Sequence, residues 1–318
     1  MFLEQVTLNG FKSYPVETVV NFKSGIAVIV GNNGAGKSNI LDAVTWVLGE
    51  DDAGRLRADR SGDLLFCGTK DYPPVDRAQV TLLLKDGTAR DAGKTAISRI
   101  IDRGGAGSCL IDGKEYDVPS YLNELAAMGL GDAAKTLVRQ EKINEIIGFP
   151  AGERADYVRR LLGGLDALPA VERDWQEFLR ILVPEATASL SLTGAPGREE
   201  LVLEASLGKR LRNAAALSGG ERSVCSLALN LALFAQLRSP FYLLDEVEAA
   251  LDWTNHQNMQ GLLKLLMRDK QLIMITHLRS TIQLADSLHG IRARKDGSSF
   301  VKYYFEMNER LLRAYKCC

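Results

Sequence analysis

Polar and apolar residues alternate through the opening stretch FLEQVTLN, and after a polar break the chain reaches the unbroken apolar run Ile26-Ala27-Val28-Ile29-Val30. Alternation predicts a strand with one wet face, whereas a β-branched apolar run predicts a strand covered on both faces. In the next segment, SNILDAVTWVLGE, residues Ile40, Leu41, Val44, Val47 and Leu48 recur at helical spacing, and Gly49 stands where a helix would be capped. Between residues 77 and 118 the period returns to two, in AQVTLLL, AISRIID and SCLIDGKEYDV. Asp-Gly and Gly-rich breaks between these pieces predict antiparallel hairpins. Helical spacing resumes from Pro119 to about Arg180, in PSYLNELAAMGL, GERADYVRRLLG and DALPAVERDWQEFLRIL. Strand character returns in ATASLSLTG and EELVLEASL, ERSVCSLALNLALFAQL fits a long helix, and FYLLDE and QLIMITH read as buried strands. Paired strands are expected from Gly290 to Glu306.

This order predicts an α/β protein with an antiparallel β layer, a mainly parallel core sheet and a helical lobe over about residues 120–240. Gly163-Gly164 and Pro169 mark a junction between two halves, 1–165 and 166–318. The N-terminus lacks the charged start and long apolar core of a signal peptide. No stretch approaches the roughly 18 apolar residues that span a bilayer, since Asn230 and Gln236 interrupt the most apolar one, so no membrane role is expected.

With 318 residues, 46% hydrophobic and 25% charged, the composition suits a folded globular chain. A net charge of -1 provides no global positive field, so any DNA contact must be a local patch. Lys70, Lys94, Arg99 and Arg103 are scattered and fit a solvated face equally well. Five cysteines without C-x-x-C spacing point to neither a disulfide framework nor a zinc site, and a reducing cytoplasm is the simplest location. Cys317-Cys318 lack the C-a-a-X form of a prenylated tail and read as a plain thiol end.

The chemistry concentrates in three places. Gly31-Asn32-Asn33-Gly34-Ala35-Gly36-Lys37-Ser38 is a full G-x-x-x-x-G-K-S between an apolar strand and a helix, the context a phosphate-binding loop requires. Its glycines let backbone N–H groups curl around phosphate, Lys37 is suited to the β- and γ-phosphates, and Ser38 to Mg²⁺, with Asn39 following in the helix. FYLLDE delivers Asp245 and Glu246 at a strand end, one suited to hold Mg²⁺ through water, the other to polarise an attacking water. Leu217-Ser218-Gly219-Gly220-Glu221 precedes a long helix, which makes either a second phosphate-binding surface or a plain N-cap.

The series of phosphate loop, Gln140, L-S-G-G-E, Asp245-Glu246, Ala250-Leu251-Asp252 and His277 resembles the ABC ATPase family. Within it, LEQVTLNGFKSY, GNNGAGKSNILDAVTWVLGE, SGDLLFCGT and FYLLDEVEAALDWTN resemble the heads of structural maintenance of chromosomes (SMC) proteins rather than transporter subunits. The resemblance covers roughly residues 2–160 and 175–307. It implies an ABC-type head that binds ATP and Mg²⁺, in which Gln140 senses metal and water and His277 lies near the γ-phosphate. Ser218, Gly219 and Gly220 would serve the ATP of a second head, so a dimer around two ATP molecules is implied. Arg57 matches an arginine finger and Lys12 a lysine near the phosphates, although each reads equally as a surface cation. A kleisin-type subunit and DNA are the implied partners, with a nucleoid location if the protein is bacterial.

Two departures stand out. Gln140 is followed by Glu141 where the family has glycine. The coiled coil and hinge of an SMC protein are also missing between the halves. A truncated or redesigned head joined near Gly163-Gly164 is expected, with ERADYVRRLLG and LPAVERDWQEFLRIL as coil stumps; the alternatives are a compact RecF-type or RecN-like repair ATPase, or a head that acts as an ATP-dependent binding module with little turnover.

Overall fold

The computed structural model describes residues 1–89, 92–208, 210–251, 253–268 and 270–306, with backbone alone at 249, 250 and 253–256. Asp252, Cys317 and Cys318 therefore lie outside the described residues. In chain order the strands begin with β1 (Phe2–Asn9), β2 (Thr18–Asn21), β3 (Ile26–Val30), β4 (Arg77–Lys85), β5 (Lys94–Asp102), β6 (Gly107–Ile111) and β7 (Lys114–Tyr116). They continue with β8 (Leu137–Arg139), β9 (Ala186–Ala195), β10 (Arg198–Leu207), β11 (Arg212–Asn213), β12 (Phe241–Asp245), β13 (Gln271–Ile275), β14 (Ser287–Ala293) and β15 (Ser299–Glu306). The helices are α1 (Lys37–Val47), α2 (Val118–Ala127), α3 (Glu145–Gly148), α4 (Ala151–Leu162), α5 (Leu168–Leu182), α6 (Gly219–Ala235), α7 (Trp253–Leu266) and α8 (Arg279–Ile282).

The chain forms two compact units built from separated segments. The first takes residues 1–137, 238–245 and the described part of 269–318; the second takes 138–237 and 246–268.

In the first unit an antiparallel sheet runs β2-β1-β4-β5-β6-β7, as the period-two stretches predict. β4 shows why: Ala78, Val80, Leu82 and Leu84 are buried on one face while the residues between them are exposed or half-buried. A second sheet carries β15-β14-β3-β13-β12 in that order, with β14, β3, β13 and β12 parallel and β15 antiparallel at the edge. β12 and β13 are buried throughout, the mark of parallel strands covered on both faces. Helix α1 contributes Ile40, Leu41, Val44 and Val47 to one apolar core with Leu3, Val6 and Leu8 of β1, Val80 and Leu82 of β4, and Phe241, Leu243, Ile273 and Ile275 of the parallel strands. That burial fixes the helix, and with it the loop that precedes it. Gln271 supplies a buried polar tie, since its amide nitrogen donates to Leu3 O and Lys23 O at 2.9 Å each and its oxygen accepts from Leu3 N–H at 2.9 Å.

The second unit is the helical lobe with a long β9–β10 hairpin. α4 lies on β10, and α5 lies against β9, α6 and α7. The buried residues of α5, Leu168, Val171, Trp175, Phe178, Leu179 and Leu182, run its whole length, and Trp175 Nε1 donates to Cys225 O at 3.0 Å. α4 likewise buries Arg154, Ala155, Val158 and Leu161, then ends at Gly163 with φ +76. Both segments read as coil stumps are thus helices with one covered face, joined through residues 163–167.

Candidate functional site

The first unit gathers one set of the expected residues at the C-terminal ends of parallel strands, where open α/β sheets place ligands. β3 ends at Val30 and gives way to Gly31–Gly36, β12 ends in Asp245, and His277 follows β13 by two residues. Asn32, Asn33 and Gly34 are exposed, Ala35 is buried, and the helix starts at Lys37. Gly36 has φ +92, and a Cβ there would collide with Ser13 Oγ and Ser299 Oγ, so only glycine fits. A clamp behind the loop explains the tightness. Tyr14 donates its hydroxyl to Gly36 O at 3.0 Å, and Ser299 binds Ser13 through both backbone N–H and hydroxyl at 2.7 Å. Asn39 Nδ2 donates to the same Ser13 Oγ at 2.8 Å. Burial pushes the Tyr14 phenol above its usual range, which keeps it a donor.

Lys37 is largely buried and folds back over the loop, donating to Gly31 O at 2.9 Å and Asn32 O at 3.2 Å. Its Nζ also lies 3.2 Å from His277 Nε2, a contact in which an unprotonated imidazole nitrogen accepts. Ser38 Oγ donates to Asp245 Oδ1 at 3.2 Å, so the hydroxyl and carboxylate expected to share a metal are neighbours. Two hard oxygens at the start of a phosphate-binding helix suit Mg²⁺, which takes one or two protein ligands and fills its sphere with water and phosphate oxygens. Because α1 begins with no side-chain cap, its first N–H groups face the loop as anion donors.

Lys12 and Arg57 come together on a residue that pattern reading passes over. Both donate to Asp42 of α1: Lys12 Nζ lies 2.6 Å and Arg57 Nη2 2.7 Å from Oδ2. Arg57 Nη2 also reaches Asn39 Oδ1 at 3.2 Å. Lys12, Asn39 and Arg57 border a cavity of about 630 Å³ that Arg60, Asp63, Cys67 and Arg103 also line.

The second unit carries the remaining candidates. Gln140 opens a single exposed turn, Gln140–Lys142, which lies against the turn Val247–Ala250. Glu246 follows Asp245 directly and takes a left-handed backbone, φ +53, which turns the chain sharply at the strand end. Ser218 caps α6. Its N–H and hydroxyl donate to Glu221 Oε2 at 2.9 and 2.7 Å, and Arg212 reaches the same oxygen at 2.9 Å. Gly219 and Gly220 are exposed and are the first two residues of α6, whose opening N–H groups have no partner within the helix. Sequence reading missed Asp42, Ser13 and Ser299. A lone polar residue in an apolar helix was the only signal for Asp42, and the serines gave none.

The model of the RecF/RecN/SMC N-terminal domain matches residues 2–299. The chromosome partition protein Smc of Halothermothrix orenii is 41% identical over 150 residues, 46% of this chain and 13% of that protein. Its counterpart in Bacillus subtilis is 33% identical over 168 residues, 52% of this chain and 14% of that protein. The chain thus spans only a small part of the length of these relatives. Among solved structures, an Smc head bound to the C-winged helix domain of ScpA superposes with a TM-score of 0.84 at 31% identity, covering 96% of this chain and 99% of that one. The Smc head from Pyrococcus furiosus bound to the C-terminal domain of ScpA gives 0.81 at 27% identity, over 99% and 98%. The SMC head from Thermotoga maritima gives 0.69 at 28% identity, over 97% and 100%.

Proposed function

The chain belongs to the RecF/RecN/SMC N-terminal domain family, with the fold of an SMC head, and we propose that it binds and hydrolyses ATP with Mg²⁺ in a site completed by a second copy. The observation that supports this best is the convergence of Lys37, Ser38, Asp245 and His277 around the Gly31–Gly36 loop. On this reading the loop N–H groups and Lys37 bind the β- and γ-phosphates, the lysine exchanging its loop carbonyls for phosphate oxygens. Ser38, Asp245 and Gln140 would hold Mg²⁺, which when bound neutralises developing phosphate charge. Glu246 polarises the attacking water, and His277 steadies the γ-phosphate.

The exposed Ser218–Gly220 turn opens α6 and offers the N–H groups of Gly219 and Gly220 to a phosphate, and we assign it to the ATP of the partner head. ATP then joins two heads and hydrolysis parts them. In a longer protein this cycle would serve chromosome organisation on DNA. The ScpA domains seated on related heads support a kleisin-type subunit as partner, and a cytoplasmic, nucleoid-associated location follows.

Two variants test the division of labour. Glu246→Gln is expected to bind ATP and accumulate as an ATP-dependent dimer in light scattering. Ser218→Arg should bind ATP and stay monomeric. A Glu246→Gln protein that remains monomeric in saturating Mg-ATP contradicts the composite site.

A further inference from the structure

Asp42 sits on α1 one helical turn past Ser38, wholly buried, where neither the phosphate loop nor the apolar core calls for a carboxylate. Its Oδ2 accepts from Arg57 twice, through Nη2 at 2.7 Å and Nε at 3.2 Å, and from Lys12 Nζ at 2.6 Å. Lys12 pins the same loop elsewhere. Its Nζ donates to Leu56 O, just before Arg57, and its N–H to Leu64 O at 2.8 Å. Both cations hold left-handed backbone angles, φ +48 at Lys12 and +52 at Arg57, which side chains adopt only when their surroundings impose them.

Arg57 lines the adjoining cavity together with Lys12, Arg60, Asp63 and Arg103. The Arg57 side chain remains 36% exposed, and its Nη1 has no acceptor among the described residues. A guanidinium clamped along its Nε/Nη2 edge, with Nη1 open, is oriented in advance for a second anion.

We propose that Asp42 is a positioning residue, which clamps one edge of Arg57 so that Nη1 is presented to the phosphates of bound ATP. This rests on the reading of Arg57 as a phosphate-reaching residue, and it assigns to Asp42 the task of paying the orienting cost before the nucleotide arrives.

The test is steady-state turnover of the whole chain, with ATP affinity measured separately by a fluorescent nucleotide. Arg57→Ala and Asp42→Asn are each expected to lower kcat about tenfold while leaving KM within about threefold, and the double variant to be no slower than Arg57→Ala alone. Because Asp42→Asn strands a buried lysine, Lys12→Met/Asp42→Asn is compared with Lys12→Met in parallel, and the same tenfold loss is expected there. Full kcat in Asp42→Asn beside an impaired Arg57→Ala overturns the positioning role and leaves the reading of Arg57 standing. Losses that multiply in the double variant overturn it too, since Asp42 would then act apart from Arg57. Wild-type kcat in Arg57→Ala removes the reading of Arg57 itself, and the proposal with it. A merely structural role would raise KM and lower the unfolding midpoint without the kcat loss.

Discussion

Among the described residues four side-chain-bearing positions have left-handed backbone angles: Lys12, Arg57, Asp112 and Glu246. Asp112 belongs to the two-residue Asp112-Gly113 turn between β6 and β7, where such angles match the strand twist. The other three are site residues, and each conformation costs about 1 kcal/mol or more that surrounding contacts must offset. The phosphate-loop residues were readable from spacing alone because glycine and lysine positions in that loop are fixed by local geometry. The ion pairs of Lys12 and Arg57 were not, because both are made with Asp42, thirty residues from one and fifteen from the other. His289 gives a second case of a residue whose role only tertiary structure reveals. It lies buried between Phe22 and Tyr304, ring centroids 4.9 and 5.1 Å away, with Nδ1 lacking a hydrogen-bond partner among the described residues. Burial pushes its pKa from 6.5 down to about 3. The unfolded chain therefore binds this proton first, and stability should fall as pH drops from about 6.5 towards 3. His289→Gln should flatten that part of the dependence in urea denaturation at pH 7 and 4.5; equal slopes for both proteins contradict it.

At the scale of elements, the period of apolar residues identified most strands and the long helices other than α7, because burial on one face or two leaves its mark directly in the sequence. α5 shows where this stops. Leu168, Val171, Trp175, Phe178, Leu179 and Leu182 fit a coiled-coil seam and a lobe helix equally, since over four turns the two spacings hardly diverge. Only the neighbours, β9, α6 and α7, decide the matter. β13 begins with a residue that no apolar pattern predicts: Gln271, buried and tied to both β1 and Lys23. It sits beside the irregular register between Leu3 and Gln5, where the β1–β4 ladder shifts. Gln271→Met should leave the Leu3 N–H and two carbonyls unsatisfied and destabilise the fold by about 1–3 kcal/mol in chemical denaturation. A loss below about 0.5 kcal/mol would mean that water reaches those groups.

At the scale of the molecule, each compact unit draws on segments far apart in the chain, so strand β3 finds its parallel neighbours more than two hundred residues later. Periodicity tells which face of an element is covered and is silent about what covers it, so this interleaving was out of reach of pattern reading. What the series of motifs did make readable was which residues could carry the chemistry. Lys37, Ser38, Asp245 and His277 converge in one unit, while Gly219 and Gly220 open helix α6 in the other. The proposed clamp on a partner's nucleotide would make turnover a property of pairs. The most direct test is the ATPase rate per head measured across a hundredfold range of protein concentration in saturating Mg-ATP. The account predicts a rate per head that climbs with concentration and then saturates, with Ser218→Arg held at the low-concentration value throughout. A rate per head that is flat across the range, and equal in Ser218→Arg, would contradict the composite site and leave a head that acts alone.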